Sequence, residues 1–317
     1  MSEACDPANR IVAVVGPTAV GKSATAEGIA RRVGGEIVSA DSMQVYSGMD
    51  IGTAKQPGAA RTVPYHCIDL VEPGRPYSAA LFQRDARRAI EQILGRGAVP
   101  VIAGGTGLYV RAALDEMDFP SGERGSNTRA RIEALAERLG SEGLHRHLSQ
   151  RDPRSAALIH PRNVRRVVRA LEMLEEKGPS YAEQASHFTE RRAAYSATYI
   201  GLVMERSALY ARIDARVDHM IAAGLLDEVQ RLLEAGYREA LTSAQAIGYK
   251  ELVPVLEGRS GLDAAADAIK LATRHYAKRQ LTWFRADPRV NWVDVTDLSP
   301  DDAVVAASAL LESGDRP

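Results

Sequence analysis

Gly16-Pro17-Thr18-Ala19-Val20-Gly21-Lys22-Ser23 combines pliable backbone, a cation and a hydroxyl in the pattern G-x-x-x-x-G-K-[ST]. Such a segment suits phosphate. Its glycines let backbone N–H groups crowd around oxygen, a following helix N-terminus favours negative charge, Lys22 adds a positive one, and Ser23 can ligate Mg²⁺. Asp41 follows a strand-like run and should face the same crevice. A carboxylate there can act as general base toward an N–H or O–H, support Mg²⁺ from one ligand further out, or cap the next turn. Gly104-Gly105-Thr106-Gly107 fits either close approach of another chain or ligand, or a tight strand-to-helix turn. Arg212 and Arg216 lie four apart on one helix face. They can clamp a phosphoryl or diphosphate group, or pair with neighbouring Asp residues on a solvated face. Lys278–Arg285 interleaves cations with Trp283 and Phe284. That pattern suits nucleic-acid phosphates and stacking, and equally an apolar core face. His66 reads as a structural histidine, and no Cys/His spacing supports a zinc site.

These groups converge only if a rigid frame holds them. The first third alternates short apolar runs with helical patterns, as a parallel sheet requires. Strands are expected at Ile11–Val15, Glu36–Ser39, Cys67–Val71 and Val99–Ala103, and helices at Ser23–Val33 and Ser78–Arg96. The polar residues after each strand are where an open α/β sheet places ligands. Strand Val99–Ala103 is followed by Gly104 rather than by the Asp that many P-loop ATPases use for Mg²⁺. Beyond about Asp118 the composition shifts. Residues 120–128 are turn-rich, Arg-rich helical segments follow at about 128–139, 142–150 and 162–176, and 177–196 is polar. Tyr199–Met204 returns to a strand pattern. Ser207–Gly236, Ser243–Leu256 and Leu262–Phe284 read as long helices, and Val290–Val295 as a last strand. The expected fold is α/β, a P-loop NTPase-like parallel sheet flanked by helices, with an inserted all-helical subdomain. The catalytic core is expected at 1–118 and 199–317, and the insertion at 119–198.

Bulk composition narrows the classes. An apolar content of 45% with 26% charged residues is ordinary for a soluble protein, and no apolar run is long enough to span a bilayer. Met1–Arg10 carries no signal-peptide pattern. With only Cys5 and Cys67 there is no disulfide framework or cysteine metal site, so a cytoplasmic location is expected, with Cys67 as a small core residue. A net charge of −1 argues against a globally basic nucleic-acid binder. Positive charge is concentrated instead. Arg162, Arg165, Arg166 and Arg169 have no acid among them, and Arg274, Lys278, Arg279, Arg285 and Arg289 are offset by Asp287 alone.

Seven segments, in this order, resemble the bacterial tRNA dimethylallyltransferases (tRNA isopentenyltransferases). They are GPTAVGKS (16–23), ADSMQVYSGMDIGTAK (40–55), GGTGLY (104–109), RRVVRALE (165–172), LYARIDARVDHMIAAGLLDEV (209–229), QAIGYKEL (245–252) and TRHYAKRQLTWFR (273–285). The DSMQ…MDIGTAK and AKRQLTWFR blocks are the specific ones. The resemblance implies transfer of a dimethylallyl group from dimethylallyl diphosphate to the exocyclic amine of the adenosine 3′ to the anticodon. The substrates would be tRNAs that read codons beginning with U, and diphosphate would be released.

It also implies roles. Asp41 would be the general base, and Ser23 would hold Mg²⁺ or the bridging oxygen of the leaving group. Gly16, Pro17, Thr18, Ala19, Val20, Gly21, Lys22 and Ser23 would bind diphosphate. Lys22, the backbone amides at 18–23 and Arg216 would stabilise its growing charge, where most of the catalysis should lie. The tRNA-contacting residues would be Asp41, Ser42, Met43, Gln44, Thr106, Arg165, Arg166, Val167, Val168, Arg169, Gln245, Ala246, Ile247, Gly248, Tyr249, Lys250, Lys278, Arg279, Gln280, Trp283 and Arg285. The partner would be the anticodon stem-loop, gripped in part by the insertion, with the protein a monomer and no membrane involved. Three positions depart from the family pattern: His160-Pro161-Arg162-Asn163, Ser rather than Thr at 23, and Gln56 where Pro is common. Rival readings are a P-loop small-molecule or nucleoside kinase, an adenylate isopentenyltransferase, and a non-enzymatic RNA-binding module.

Overall fold

The computed structural model describes residues 11–119, 127–176, 180–237 and 245–313. Met1–Arg10 with Cys5, most of the turn-rich 120–128 stretch, Gly178-Pro179 and the start of the helix expected from Ser243 lie outside the described residues.

Ile11–Val15, an apolar run with no polar break, forms β1 and is wholly buried. A strand covered on both faces needs apolar side chains at every position, not at alternate ones. From β1 the chain runs through α1 (Lys22–Val33), β2 (Gly35–Ser39), β3 (Tyr65–His66), α2 (Ala79–Gly95), β4 (Val99–Gly104) and α3 (Gly107–Leu114). After α4 (Asn127–Arg151), α5 (Pro153–Leu158), α6 (Val164–Glu175) and α7 (Tyr181–Thr189), it continues with β5 (Ala197–Val203), α8 (Arg206–Ala222), α9 (Leu225–Glu234), α10 (Val253–Leu256), α11 (Leu262–Arg285), β6 (Val290–Asp294) and α12 (Pro300–Ser313). The strands form one sheet in the order β3-β2-β4-β1-β5-β6, with every pair parallel. Val12 pairs with Val101 on one side and Thr198 on the other. All carboxyl ends therefore meet at one edge. From β1 the chain first builds one half of the sheet and later the other, which makes the crevice beside β1 the place for a ligand. The core under this edge includes Val14, Ile29, Ile37, Val101, Ile200, Leu202 and Ile213.

The chain divides into two compact units. One ends at Leu114 and resumes at Ala194; the other is Asp115–Ala193, against an expected insertion at 119–198. The second unit contains α4–α7, with Ile132, Leu144, Leu148, Ile159, Val167, Val168 and Leu171 in its own core. Gly140 (φ 66, ψ 175) interrupts α4 where the sequence separates 128–139 from 142–150. At the base of this unit Asp115 bridges Ala193 in antiparallel fashion, and Glu116 N–H donates to Arg192 O (2.7 Å).

Several expected elements come out differently. Cys67–Val71 is not a strand: β3 stops at His66 because Cys67 (φ 59) and Asp69 (φ 52) take left-handed backbone. Asp69 is drawn out of line by Lys55, whose buried ammonium donates to Asp69 Oδ1 (2.6 Å), Asp50 Oδ1 (2.7 Å) and Tyr46 O (2.9 Å). Gly224 (φ 94) splits Ser207–Gly236 into α8 and α9. Among the described residues of the expected Ser243–Leu256 helix, the α-helical part is α10, and Gly248 (φ 95) breaks the run before it. The polar 177–196 stretch contains α7, started by a capping box between Ser180 and Glu183. The structure also contains α12, whose first turn carries Asp301 and Asp302 and whose Asp302 N–H is accepted by Ser299 Oγ (3.2 Å).

Candidate active site

The loop after β1 turns on Gly16 (φ 146), Ala19 (φ 65) and Gly21 (φ 108). A side chain on Gly16 would also sit 2.6 Å from Leu202 O of the neighbouring strand. α1 then begins at Lys22 with no side-chain cap and no acid in its first turn. Its leading N–H groups and the positive end of its dipole are thus left for an anion. Lys22 Nζ folds back to donate to Pro17 O (2.6 Å). Lys22 keeps some exposed surface, yet protein atoms crowd its ammonium. Burial, with Arg216 nearby, lowers its pKa to about 7, and Asp41 opposes the shift. Burial likewise holds Arg216 below the usual guanidinium range, again opposed by Asp41.

Two cavities meet beside this loop. The smaller, about 70 Å³, is lined by Lys22, Ser23, Ser39, Gln44, Gly104, Gly105 and Gln280 among others. The larger, about 400 Å³, is lined by polar groups of Ser42, Thr53, Gln245, Tyr249 and Lys250 and by the apolar Met43, Ile213, Val217, Met220, Ala246, Ile247, Ile269 and Ala272 among others. Thr18, Asp41, Thr53, Arg216 and Tyr276 line both. Asp41 is therefore at the junction. It also caps its turn, since Oδ1 accepts from Met43 N–H (2.8 Å), so the capping and the functional readings hold together.

α8 supplies Arg212 and Arg216, but its acids do not neutralise them. Asp214 pairs with Arg274 (Nε to Oδ1, 3.1 Å) and Asp218 with Lys270 (2.6 Å), which zips α8 to α11. Arg216 reaches both cavities. Arg212 lies outside them, its guanidinium 4.0 Å from where a Cβ on Gly21 would stand.

The Gly-rich turn after β4 is explained by α11. A Cβ on Gly105 would overlap Gln280 Nε2, and one on Gly107 would overlap the Trp283 ring. Gln280 Nε2 donates to Gly105 O (2.9 Å), and Thr18 N–H donates to Gln280 Oε1 (2.8 Å). Thr106 Oγ1 accepts from Ser42 N–H (3.1 Å), joining this turn to the segment after β2.

The residues expected to contact tRNA separate into outward and inward groups. Lys278, Arg279, Trp283 and Arg285 are exposed on α11, as are Arg165 and Arg166 on α6 and Lys250. Gln280 and Phe284 face the core instead, so the core-face reading holds for Phe284 and not for Trp283. Val167 and Val168, at 0% and 2% exposure, are core residues of the second unit rather than a binding surface. Arg169 is half-buried and donates to Glu172 (2.7 Å). The half-buried Gln44 carboxamide is held inside the protein, accepting from Ser39 Oγ (2.8 Å) and donating to Thr53 O (3.3 Å). Tyr249 is fully buried, with Ala246 and Gly248 nearly so. His66 Nε2 lies 2.7 Å from Glu36 Oε2, a structural pairing, and burial pushes the Cys67 thiol up to about 12.

Two residues of this site carry no expectation from sequence. Glu228 of α9 is buried, and its carboxylate accepts from Asp50 N–H (3.1 Å), Ile51 N–H (2.8 Å), Gly52 N–H (3.2 Å) and Tyr249 O–H (2.7 Å). It welds two walls of the larger cavity together. Its signal is an acid at the apolar spacing of Leu225, Val229 and Leu232. Tyr276 stands one helical turn before Gln280. Burial and the Asp41 charge push its phenol up to about 12, while hydrogen bonds with Thr106 and Gln280 oppose the rise.

Among the described residues no three His, Cys, Asp or Glu side chains form a metal cluster. The small cavity beside the loop carries one carboxylate, Asp41, and the hydroxyls of Thr18, Ser23, Ser39 and Thr53, of which Ser23 lies in the first turn of α1. That sparse oxygen set fits Mg²⁺, which keeps several waters and takes its other ligands from phosphate.

Residues 44–287 match the family model described as IPP transferase, and residues 9–61 match one described as isopentenyl transferase. The tRNA dimethylallyltransferase of Carboxydothermus hydrogenoformans is 48% identical over 286 residues, covering 90% of this chain and 92% of that protein. The one from Geobacillus kaustophilus is 47% identical over 291 residues, covering 92% of each. A solved structure of the full-length tRNA isopentenylpyrophosphate transferase from Bacillus halodurans has a TM-score of 0.71 at 43% identity, covering 97% of this chain and 96% of that one. A eukaryotic dimethylallyltransferase described as acting on tRNA has a TM-score of 0.80 at 30% identity, covering 98% of this chain and 80% of that one. Matched along almost all of its length in sequence and in fold, the chain belongs to the IPP transferase family, that of the tRNA dimethylallyltransferases.

Proposed function

We propose that this protein moves the dimethylallyl group of dimethylallyl diphosphate onto the exocyclic amine of the adenosine 3′ to the anticodon, in tRNAs that read codons beginning with U. The observation that carries this reading is the place of Asp41, at the junction of a small cavity beside the phosphate loop and a larger, partly apolar one. The diphosphate would lie in the smaller cavity on the N-terminus of α1, Lys22 and Arg216. The dimethylallyl group would face Ile213, Val217 and Met220, and the adenine would enter beside Ser42 and Met43 after leaving its stack.

In the transfer, the amine nitrogen forms a bond to the terminal allylic carbon while the carbon–oxygen bond to diphosphate breaks. Asp41 takes the amine proton. Lys22, Arg216 and the amides of α1 stabilise charge that grows on the departing oxygen, an arrangement that favours the transition state over the ground state. When bound, Mg²⁺ would be held by Ser23 and diphosphate oxygens and would neutralise part of that charge. The exposed cations of α11, together with Arg165 and Arg166, would hold RNA phosphates. Among the described residues no helix is long and apolar enough to cross a membrane; the enzyme would act in the cytoplasm, as a monomer.

The test is mass spectrometry of tRNA nucleosides after incubation with enzyme, Mg²⁺ and dimethylallyl diphosphate. A dimethylallyl gain on adenosine is expected. No gain, or transfer of the terminal phosphate of ATP to a small acceptor, would overturn the reading.

A further inference from the structure

The position of Gln280 between Lys278, Arg279 and Arg285 suggests an RNA contact, but the structure turns it the other way. It is 5% exposed and shares the inner face of α11 with Ala277 and Phe284. Its carboxamide has one self-consistent orientation. Thr18 N–H can only donate and Gly105 O can only accept, so Oε1 must face the phosphate loop and Nε2 the Gly-rich turn. Both bonds join segments far apart in sequence. Gly105 lacks a Cβ where one would collide with this amide. Next to Thr18, Ala19 holds a left-handed backbone (φ 65) that a residue with a Cβ adopts reluctantly. The loop therefore needs a tie from outside itself, and Gln280 supplies one at the adjoining residue. Its third neighbour, Tyr276, lies beside Asp41.

We infer that Gln280 is a positioning residue for diphosphate: it takes the Thr18 amide out of the anion-binding set and locks the loop against the end of β4. The amides nearer α1 and Lys22 then converge on the leaving group. Its neighbours along the sequence serve RNA, whereas Gln280 itself serves the other substrate. The inference rests on the proposed transfer for the identity of that substrate, not for the geometry of the loop.

Full-length Gln280→Met and Gln280→Glu separate the two roles. The measurements are inorganic diphosphate affinity by titration calorimetry, and kcat and KM with dimethylallyl diphosphate and with tRNA. Losing the tie to Thr18 N–H and leaving the buried Gly105 carbonyl unpaired in the Met variant should weaken inorganic diphosphate and raise the KM for dimethylallyl diphosphate about tenfold, with the KM for tRNA changed less than about twofold. Glu with its proton on is isosteric with Gln and can make both bonds; ionised, it faces Gly105 O with a second acceptor. The Glu variant should therefore show a deficit at about pH 8 that shrinks toward wild type at about pH 5.5. That pH recovery gives the same information if the Met variant does not fold. A raised KM for tRNA with unchanged diphosphate binding would overturn the inference, and so would wild-type diphosphate affinity in both variants at pH 8. If the wild type binds inorganic diphosphate but transfers no dimethylallyl group, the proposed function fails and the positioning role stands.

Discussion

Replacing Glu228 by Gln keeps the shape of α9 and removes one charge from a buried carboxylate with four donors around it. Oε2 serves Asp50 and Ile51, and Oε1 serves Gly52 and Tyr249. A carboxamide can keep its oxygen toward Asp50 and Ile51 while its NH₂ turns to Tyr249, whose hydroxyl can rotate to accept. Gly52 N–H then faces a donor and has no acceptor. The reverse orientation strands two N–H groups. One orphaned donor facing the NH₂ costs about 1 kcal/mol, and the surviving bonds lose their charge assistance, so a loss of about 2 kcal/mol is expected. Guanidinium unfolding followed by tryptophan fluorescence measures it. Tyr249→Phe removes one donor but leaves the carboxylate three partners, and should cost about 1 kcal/mol. The double variant should lose less than the sum, because both changes act on one carboxylate. Since Gly52 and Tyr249 line the larger cavity, the KM for tRNA should rise as well. A Glu228→Gln protein within about 0.5 kcal/mol of wild type, or strict additivity with Tyr249→Phe, would refute the reasoning.

Asp41→Asn should lower kcat by about 10²–10⁴-fold while tRNA binding, read by filter retention, is retained. In the ligand-free protein Lys22, with a pKa near 7, is charged below that pH and neutral above it. A bound diphosphate favours the ammonium, so the complex holds more protons than the free protein above pH 7. Diphosphate affinity should then fall by up to about tenfold per pH unit through this group, and calorimetry should find that contribution missing in Lys22→Met. Lys278→Ala and Arg285→Ala should each reduce the salt dependence of tRNA binding by about one unit of slope, leaving inorganic diphosphate affinity unchanged.

The phosphate loop was legible because its chemistry is local: strand, turn and helix follow within one short segment. Asp41 was legible for a similar reason, as the polar residue just after a strand of a parallel sheet. The inner and outer halves of the tRNA-like segments were harder. A motif read as a block does not say that Gln280 and Phe284 point inward while Trp283 and Arg285 point out; only the phase of α11 against the sheet decides that. Val167 and Val168 were swept up with Arg165 and Arg166 in the same way. Cys67–Val71 misled because its apolar pattern fits a strand, while the competing pull of buried Lys55 on Asp69 comes from a distant segment. Glu228 stayed hidden because its four donors come from two other loops.

The bridge between Asp115 and Ala193 has a consequence for how this protein can vary. The chain leaves the sheet-bearing unit at Leu114 and returns at Ala194, where Ala194 N–H donates to Leu114 O (2.8 Å). The excursion is pinned at its base, so a change in the length of its connecting loops, outside its own core, alters closure entropy only with the logarithm of length. The register of β4, β1 and β5 does not depend on what happens between the two pins. Insertions and deletions in the loops between 116 and 192 that spare this core are therefore heritable at small thermodynamic penalty, and a lineage can reshape that unit without re-solving the placement of Asp41.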